Sequence, residues 1–348
     1  MDAMRRPSTG RKRSISNKFK ILITGGNGFL GQQLAKALLQ PRDELRFDEL
    51  ILVDIQKPVS PVRDDRVRCL VFDLTRPEAV DELFQTSIDI IFHLAAVVSG
   101  HAERDLDLGY KVNVECTHNL LETIRHQNRP QTRLVFASSC AVYGWPQPMD
   151  QDIDERTAVL AQSSYGNQKA MSELMIADYT RRGYIDGRVL RLPTVSVRPG
   201  AANLAVTSFA SGIIREPLSG RIAICPVARD QKIWITSPKT VVENFIHAAV
   251  LPATAFGPHR NVNLPGITVT VDQMMDSLAQ IAGQKTAELI RFEYNPQIDA
   301  IVSSLPVSFD VRRALDLGFS VDSDFSYIIQ SYINQELSPP SDRSSSES

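Results

Sequence analysis

The sequence predicts an α/β fold: a doubly wound parallel sheet with a smaller C-terminal substrate-binding lobe. In the first half of the chain, short apolar β-rich segments alternate with amphipathic helical segments, which is typical of right-handed βαβ units. The first such segment, FKILIT at 19–24, runs directly into glycines spaced G-x-x-G-x-x-G and then into a helix. Strand, glycine turn and helix in this order indicate a Rossmann-type dinucleotide site.

Each glycine of this turn has a predicted physical role. Gly25 forms the tight turn, Gly28 lets the backbone approach a pyrophosphate, and Gly31 lets the helix pack closely on the strand. Phe29 and Leu30 begin the helix, so its N-terminus would face the negative charge of the phosphates. We therefore expect these five residues to bind a dinucleotide.

The end of the second predicted strand indicates which dinucleotide is bound. Leu50–Val53 is followed by Asp54, about 23 residues past the last glycine, where a carboxylate can hold the hydroxyls of the adenosine ribose. The same carboxylate would repel a 2′-phosphate. NAD is therefore the expected cofactor, and NADP is disfavoured.

Three further predicted strands end in residues that fit the same site. Parallel sheets bind ligands at the carboxyl ends of their strands. Asp73 and Leu74 follow one strand end, and Asp73 could accept a hydrogen bond from the adenine amino group or cap the next helix. Ala95 and Ala96 follow another, where small side chains would let the cofactor lie against backbone, or would simply pack. The predicted elements are strands over 67–72, 88–93 and 133–138 and helices over 77–84 and 105–126.

A tyrosine and a lysine four residues apart form the strongest chemical pattern. Tyr165 and Lys169 would project from one face of a helix that begins at Ser164. A phenol is a poor base at neutral pH, but a nearby ammonium group favours the phenolate. Such a tyrosine can exchange a proton with a substrate oxygen while a hydride passes to or from a nicotinamide. Ser139, at the end of the fifth predicted strand, would lie close to this pair.

From Phe19 to about Leu337 the chain resembles the extended short-chain dehydrogenase/reductase family. The resemblance rests on the segments already described together with HLAA at 93–96, NVECTHNLL from Asn113 and SSCAVYG at 138–144. It implies that Ser139 orients the substrate oxygen, that Tyr165 is the acid/base, and that Lys169 also binds the nicotinamide ribose. Asn113 would lie near the site. Cys140 departs from the aliphatic residue expected there, which could signal a modified substrate pocket.

Longer segments resemble family members that oxidise the 2-hydroxyl group of a small polyhydroxy acid with NAD. They include FHLAAVVSG at 92–100 and RGYIDGRVLRLPTVSVRPG at 182–200. A guanidinium binds a carboxylate through two parallel hydrogen bonds, so Arg198 is the expected carboxylate ligand, although a surface or internal ion-pair role is open. Ser99 would donate a hydrogen bond to the substrate. Trp234 is expected in the core or in the pocket wall.

Other function classes remain open at this stage. The alternatives are an NAD(P)H-dependent ketone or enone reductase of secondary metabolism and a nucleotide-sugar epimerase. Dehydration is disfavoured, because Cys140 and Ala141 stand where a carboxylate would be needed. A nonenzymatic dinucleotide sensor would not need the Tyr165–Lys169 pair.

Length, charge and composition complete the expectations. The 348 residues carry a net charge of −2, which provides no general attraction to nucleic acid or membranes, and no apolar run is long enough to cross a bilayer. Four scattered cysteines predict no metal site. We expect a soluble, cytoplasmic enzyme. The family resemblance also implies a homodimer formed through the long helices that begin at Asp105 and Ser164. The predicted organisation is a disordered basic tail (1–18), an NAD-binding domain (19–195), a substrate lobe (196–337) and a disordered tail (338–348).

Overall fold

The computed structural model describes residues 19–144, 152–200 and 205–337. Both predicted tails, 1–18 and 338–348, lie outside the described residues. The strands are β1 Phe19–Thr24, β2 Phe47–Asp54, β3 Val67–Val71, β4 Ile90–His93, β5 Arg133–Ser139, β6 Asp186–Leu192, β7 Thr194–Val195, β8 Ala223–Cys225, β9 Lys232–Thr236, β10 Asn261–Asn263, β11 Ile267–Thr270 and β12 Ile290–Phe292.

The helices lie between and after these strands. They are α1 Phe29–Leu38, α2 Pro77–Leu83, α3 Ser99–Arg104, α4 Leu106–Tyr110, α5 Cys116–His126, α6 Ser164–Arg181, α7 Phe209–Leu218, α8 Pro238–Val250, α9 Ala253–Phe256, α10 Val271–Ala282, α11 Gln284–Ala287, α12 Pro296–Ser303, α13 Arg312–Asp316 and α14 Phe325–Tyr332. Two π-helical turns, Lys111–Glu115 and Ile333–Leu337, continue α4 and α14.

The chain described here contains no helix with both the length and the apolar character needed to cross a bilayer. Cytoplasmic location stays a prediction.

The central sheet has seven strands in the order β10-β6-β5-β4-β1-β2-β3, and all of its strand pairs are parallel. The strand order reverses at β1: β2 and β3 extend the sheet on one side, and β4, β5, β6 and β10 extend it on the other. Such a reversal opens a crevice at the carboxyl ends of the central strands. The predicted doubly wound parallel sheet is therefore confirmed.

The apolar strands form a core on each face of this sheet. On one face, Ile21, Ile23 and Phe92 pack with α1 and α8. On the other, Leu22 and Ile91 pack with α2, α5 and α6. Both faces of these strands are thus buried, which explains their continuous apolar sequence. The sheet gives the loops at its carboxyl edge a rigid support.

The second half of the chain divides between two layers. Its own core lies among α7, α10, α14 and the short strands β8, β9, β11 and β12. However, α8 packs against α1, and β10 pairs with β6, so these elements extend the first layer. The division of the chain at residue 195 stays a prediction.

The helix predicted over 105–126 differs in detail. A separate helix, α3, precedes it, and α4 ends at Tyr110, where a π-helical turn begins that leads into α5. A π-helical turn contains one more residue than an α-helical turn. Apolar residues that recur with a period of 3.6 do not reveal this extra residue. This turn contains Asn113 and brings it towards the predicted active site.

Candidate active site

The glycine turn has the geometry that a dinucleotide requires. Gly25 has φ +70°, and a Cβ there would lie 2.9 Å from the backbone nitrogen of Ala95. A Cβ on Gly31 would lie 2.3 Å from the carbonyl oxygen of Gly25, so only glycine lets α1 approach the turn this closely. Gly28 is the N-cap of α1, with no side-chain cap and no acid in the first turn. The N-terminus of α1 can therefore receive a pyrophosphate, and these residues fit the dinucleotide.

Two acidic residues lie farther along the same edge of the sheet. Asp54 ends β2 and accepts hydrogen bonds from the backbone N–H groups of Asn27, in the glycine turn, and of Gln56. Asp73 accepts hydrogen bonds from the backbone and the hydroxyl group of Thr75. Partial burial raises the pKa of Asp73, but the bonds from Thr75 and nearby positive charges together lower it below its ordinary value. Asp54 thus adjoins the glycine turn, where the ribose-binding acid is predicted.

Asp73 does not cap the next helix, because Arg76 is the N-cap of α2 and makes no side-chain cap bond. The Leu74 side chain is buried in the core, and its carbonyl oxygen accepts a hydrogen bond from Asn119. Asp73 as an adenine ligand and Leu74 as a cofactor contact stay predictions.

A buried hydrogen-bond chain supports the backbone at Ala95 and Ala96. The Thr24 hydroxyl oxygen lies 3.2 Å from the backbone nitrogens of Leu94 and Ala95 and 2.7 Å from Nδ1 of His93. The other ring nitrogen of His93 lies 3.0 Å from the Thr117 hydroxyl. Burial, together with the positive charge of Lys169, lowers the pKa of His93 to about 3. His93 is therefore a neutral structural link below the cofactor site.

Asn113 forms hydrogen bonds with the loop that precedes Ser99, the first residue of α3. Its side-chain amide oxygen accepts from the backbone N–H of Val97 at 2.9 Å, and its amide nitrogen donates to the Val97 carbonyl at 3.2 Å and to Gln168 at 2.8 Å. Asn113 is 1% exposed and does not line the cleft described below. These contacts give Asn113 the geometry of a positioning residue, and a direct catalytic role for it stays a prediction.

Tyr165, Ser139 and Lys169 meet at the carboxyl edge of the sheet. The N-cap Ser163 accepts a hydrogen bond from Gly166, so α6 begins where Tyr165 faces the end of β5. The Ser139 side chain lowers the pKa of the Tyr165 phenol, as a hydrogen-bonding neighbour does. The Lys169 Nζ atom lies 5.7 Å from the centre of the Tyr165 ring and 4.6 Å from that of Phe136. The spacing from Tyr165 to Lys169 therefore brings both side chains to one site, as expected.

Burial and neighbouring groups shift the pKa values of both Tyr165 and Lys169. Burial raises the pKa of Tyr165 to about 12, whereas the Ser139 hydrogen bond and the charge of Arg198 oppose this rise. Burial lowers the pKa of Lys169 to about 7, and the negative charge of Glu173 acts against that change. Ser139 and Arg198 thus favour the phenolate form of Tyr165. The contribution that the sequence predicts for Lys169 stays a prediction.

Arg198 lies on the loop that follows β7, at the end of the site where the substrate is expected. Its backbone N–H donates to the Ser211 hydroxyl, and its carbonyl oxygen accepts from Arg215. Burial and the like charge of Arg215 lower the pKa of Arg198, while Tyr165 raises it. The Ser99 hydroxyl oxygen accepts from the backbone N–H of Val206, so its own proton can be donated elsewhere. The fold thus brings a cation and a hydroxyl donor to the same end of the site as Tyr165.

A cleft of about 390 Å³ joins the glycine turn to Tyr165. Its volume lies within the range of small-ligand sites. Asp54, Asp73, Leu74, Ala95 and Asn113 do not line it. The predicted site residues that line it are Gly25, Gly28, Phe29, Leu30, Gly31, Ala96, Ser99, Ser139, Tyr165, Lys169 and Arg198.

Several site residues were missed by sequence reasoning. Thr24, His93 and Thr117 form the buried chain below the cofactor site, and Lys232 lines the cleft. The segment around Leu305 also lines it, although nothing in its composition indicates a ligand site. A polar residue at the end of a buried strand, such as Thr24 or His93, is the one sequence signal that was available.

The fold and the cleft define a Rossmann-type, dinucleotide-dependent oxidoreductase. The chain matches the NAD-dependent epimerase/dehydratase family over residues 21–248. It is 49% identical over 318 residues to D-erythronate dehydrogenase of Haemophilus influenzae, covering 91% of this chain and 100% of that protein. It is 46% identical over 320 residues to D-erythronate dehydrogenase of Cupriavidus necator, covering 90% of this chain and 97% of that protein.

A solved structure extends the likeness to three dimensions. A nucleoside-diphosphate-sugar epimerase from Agrobacterium tumefaciens superposes with a TM-score of 0.89 at 37% identity, covering 96% of this chain and 98% of that chain. The chain therefore belongs to the NAD-dependent epimerase/dehydratase family. It is an NAD-dependent dehydrogenase that acts on CH–OH groups, and the expected cofactor, NAD, is confirmed.

Proposed function

We propose that this enzyme oxidises the 2-hydroxyl group of D-erythronate or of a closely similar polyhydroxy acid. The observation that carries the proposal is the pair of relatives named D-erythronate dehydrogenase, which align with this chain over almost their whole length. The charge at the site also supports it, since Arg198 interacts electrostatically with the Tyr165 phenol. A cation beside the acid/base suits a substrate whose carboxylate adjoins the reacting hydroxyl group.

In the proposed mechanism, Tyr165 takes the proton of the substrate hydroxyl group and Ser139 holds the oxygen that loses it. NAD, held by the glycine turn, Asp54 and the backbone at Ala96, supplies the hydride acceptor when bound. Lys169 binds the nicotinamide ribose and, when charged, favours the Tyr165 phenolate. Because phenolate is the reactive form and burial raises the pKa of Tyr165, oxidation is expected to become faster as the pH rises.

The remaining substrate atoms have partners at the same end of the cleft. Arg198 binds the carboxylate through its guanidinium, and Ser99 donates a hydrogen bond to a substrate oxygen. Asn113 holds the backbone at Val97, two residues before Ser99, and so positions that donor.

A second candidate is epimerisation of a nucleotide sugar, which the name of the 37% identical solved structure favours. The two reactions differ in their redox balance. A dehydrogenase accumulates NADH, whereas an epimerase reduces and reoxidises NAD within one turnover.

The test is to follow NADH absorbance with a panel of aldonic acids, UDP-sugars and neutral alcohols. We expect NADH to accumulate with D-erythronate and with no UDP-sugar. Conversion of a UDP-sugar without net NADH would instead favour the epimerase. Activity confined to reduction of an aromatic or polyketide-like ketone would mean a reductase.

Variants test the assigned roles. Tyr165→Phe is expected to lower kcat by roughly 100-fold or more and to leave NAD binding intact, because the phenol acts in proton transfer.

Arg198→Ala should raise KM for the acid by about tenfold to a hundredfold and should hardly change KM for a neutral alcohol. Arg229→Ala is the control, since that arginine is exposed and pairs with Asp272. Equal losses on the acid and on the alcohol would make Arg198 structural.

A further inference from the structure

Helix α6, which carries Tyr165, packs on the sheet largely through polar side chains in its first half. The side chains that this half buries are those of Gln168, Lys169, Ala170, Ser172 and Glu173. Four of these five are polar. Apolar contacts have no preferred direction, whereas hydrogen bonds restrict both distance and angle. The polar contacts of α6 therefore determine where Tyr165 lies on the sheet.

The Glu173 carboxylate joins α6 to three neighbouring strands. It accepts a hydrogen bond from the Ser138 hydroxyl group near the end of β5. It also accepts from Arg191 of β6, whose Nη2 atom lies 2.6 Å from one carboxylate oxygen, and from the side-chain amide of Asn261 in β10 at 3.0 Å. Glu173, Ser138 and Arg191 are each at most 3% exposed, so water competes little for these bonds.

The contact between Glu173 and Ser138 lies next to the proposed acid/base. Glu173 follows Tyr165 by two turns of α6, on the same face of the helix. Ser138 directly precedes Ser139 in β5, where both residues pair with the backbone of β6. This contact therefore joins the helix that carries Tyr165 directly to the strand that carries Ser139.

We propose that Glu173 is a positioning residue, which through Ser138 holds Ser139 and Tyr165 in the geometry that proton transfer requires. The inference rests on the proposed function for the roles of Ser139 and Tyr165. Without the contact, Arg191 still holds Glu173, but α6 and the end of β5 can shift relative to each other. A displacement of about 1 Å between reacting groups can lower a rate by about 100-fold.

The first test removes the contact from the strand side. Ser138→Ala deletes the hydroxyl group that donates to Glu173 and leaves the pair of Glu173 with Arg191 in place. We expect kcat to fall by about tenfold to a hundredfold, whereas KM for NAD and for the substrate should change by less than about twofold. A contact that serves only stability would instead lower the thermal midpoint and leave kcat of the folded protein unchanged.

Thr180→Val is the matched control. Thr180 also joins α6 to the sheet, because its hydroxyl oxygen accepts from the backbone N–H of Gly187 in β6 at 3.2 Å, but it lies about four turns after Tyr165. Valine keeps the shape and removes the hydroxyl group, so the thermal midpoint should fall by a few degrees while kcat stays unchanged. A wild-type kcat in Ser138→Ala, or equal losses of kcat in both variants, would overturn the proposal.

A double-mutant cycle tests whether Glu173 acts through Ser138. Glu173→Asp keeps the negative charge but is one methylene group shorter, so its carboxylate withdraws from Ser138. We expect it to lower kcat as much as Ser138→Ala does, and the double variant to lose no more than either single variant, because both changes remove the same contact. A wild-type kcat in Glu173→Asp would mean that only the charge matters, and losses that multiply would mean a separate route. Either result contradicts the proposal.

Failure of the proposed function stays distinguishable. A wrong substrate assignment would appear as a wild type that converts no aldonic acid, and the variants are then compared on the substrate that it does convert. A wrong mechanism would appear as near-normal turnover by Tyr165→Phe. Failure of the present inference would appear as near-normal turnover by Ser138→Ala while Tyr165→Phe stays inactive.

Discussion

The Tyr165 phenol receives its supporting groups from separate segments of the chain. Ser139 comes from the end of β5, and Arg198 comes from the loop after β7. Lys169 follows one turn later on the same helix, and Glu173 one turn after that, where its charge opposes the loss of the lysine proton. The buried Glu173 carboxylate is itself paired with Arg191, with which it forms several hydrogen bonds. Burial and this internal ion pair therefore together set the environment of Lys169.

His93 allows the buried support of the cofactor site to be tested through pH. In the unfolded chain a histidine takes up a proton below about pH 6.5, whereas His93 in the folded protein does so only at about pH 3. Its folded-state pKa is lowered, so acid favours the unfolded chain and stability is lost as the pH falls from 6.5 to 3. At pH 5 this amounts to about 2 kcal/mol. His93→Gln should therefore lose less stability than wild type between pH 7 and pH 5.

The measurement is the thermal midpoint of each protein at both pH values. His126→Gln is the matched control, because that imidazole is 66% exposed, and its pH dependence should equal that of wild type. A His93→Gln protein with the acid sensitivity of wild type would show that His93 is protonated in the folded state.

The sequence predicted the positions of residues with proposed chemical roles where a single helix, or the end of a single strand, determines those positions. Tyr165 and Lys169 are four apart on a helix, and Ser139 ends a strand at the ligand edge. The buried polar partners were not predictable. His93 binds Thr24 from 69 residues away and Thr117 from 24 residues away. Such pairs leave no periodic pattern, because only the tertiary fold brings their members together.

At the scale of elements, the π-helical turn connects two parts of the site. It lies between α4 and α5, and its Asn113 side chain reaches the loop before Ser99 as well as Gln168 on α6. The Asn113 carbonyl oxygen accepts a hydrogen bond from Ser172, also on α6. Helix α6 and the loop before Ser99 are thus tied to one turn. Sequence periodicity predicted the helix but not the turn, because its extra residue leaves the apolar face almost unchanged.

The first turn of α1 provides a prediction at this scale. Gly31→Ala should weaken NAD binding and lower stability, because its Cβ would lie 2.3 Å from the Gly25 carbonyl and neither backbone segment can move without opening the turn. Gly212→Ala, in the middle of α7, is the control. Apart from the adjacent residues and the backbone of α7 itself, no atom of the described residues lies within 4 Å of the added methyl group there, so alanine should stabilise the helix by up to about 1 kcal/mol.

Titration of NAD and a thermal melt decide the outcome for both variants. If Gly31→Ala binds NAD as tightly as wild type, the close packing of α1 on the glycine turn is not needed for the cofactor.

At the scale of the whole molecule, the sheet and the second core share the cleft. The glycine turn and Tyr165 belong to the sheet side, whereas Trp234 and Leu305 line the cleft from the other side. The sequence predicted a second lobe over this edge, but it did not show that α8 and β10 return to the first layer. The apolar residues of α8 and β10 could be buried in either layer, so only tertiary packing decides to which layer these two elements belong.

A surface formed by α4 and α6 supports the homodimer that we propose for this enzyme. The two helices contact each other, and they expose Leu106, Tyr110, Met171 and Leu174. Leu174 is 66% exposed and Leu106 is 52% exposed. Large apolar side chains clustered on neighbouring helices are typical of an interface between subunits. Because α6 also carries Tyr165 and Lys169, a partner on this surface would stabilise the helix that holds the proposed catalytic pair.

We therefore expect the full chain to sediment as a dimer, and the double variant Leu106→Glu/Leu174→Glu to sediment as a monomer, because two carboxylates per subunit would have to be buried unpaired at the contact. Leu315→Glu is the control. That leucine is 46% exposed but lies on α13, away from α4 and α6, so the same change of charge there should leave the dimer intact. Sedimentation equilibrium at several protein concentrations measures all three proteins. A monomeric wild type would overturn the proposed homodimer. A double variant that stays dimeric would place the subunit contact elsewhere and leave the apolar residues of α4 and α6 exposed to solvent.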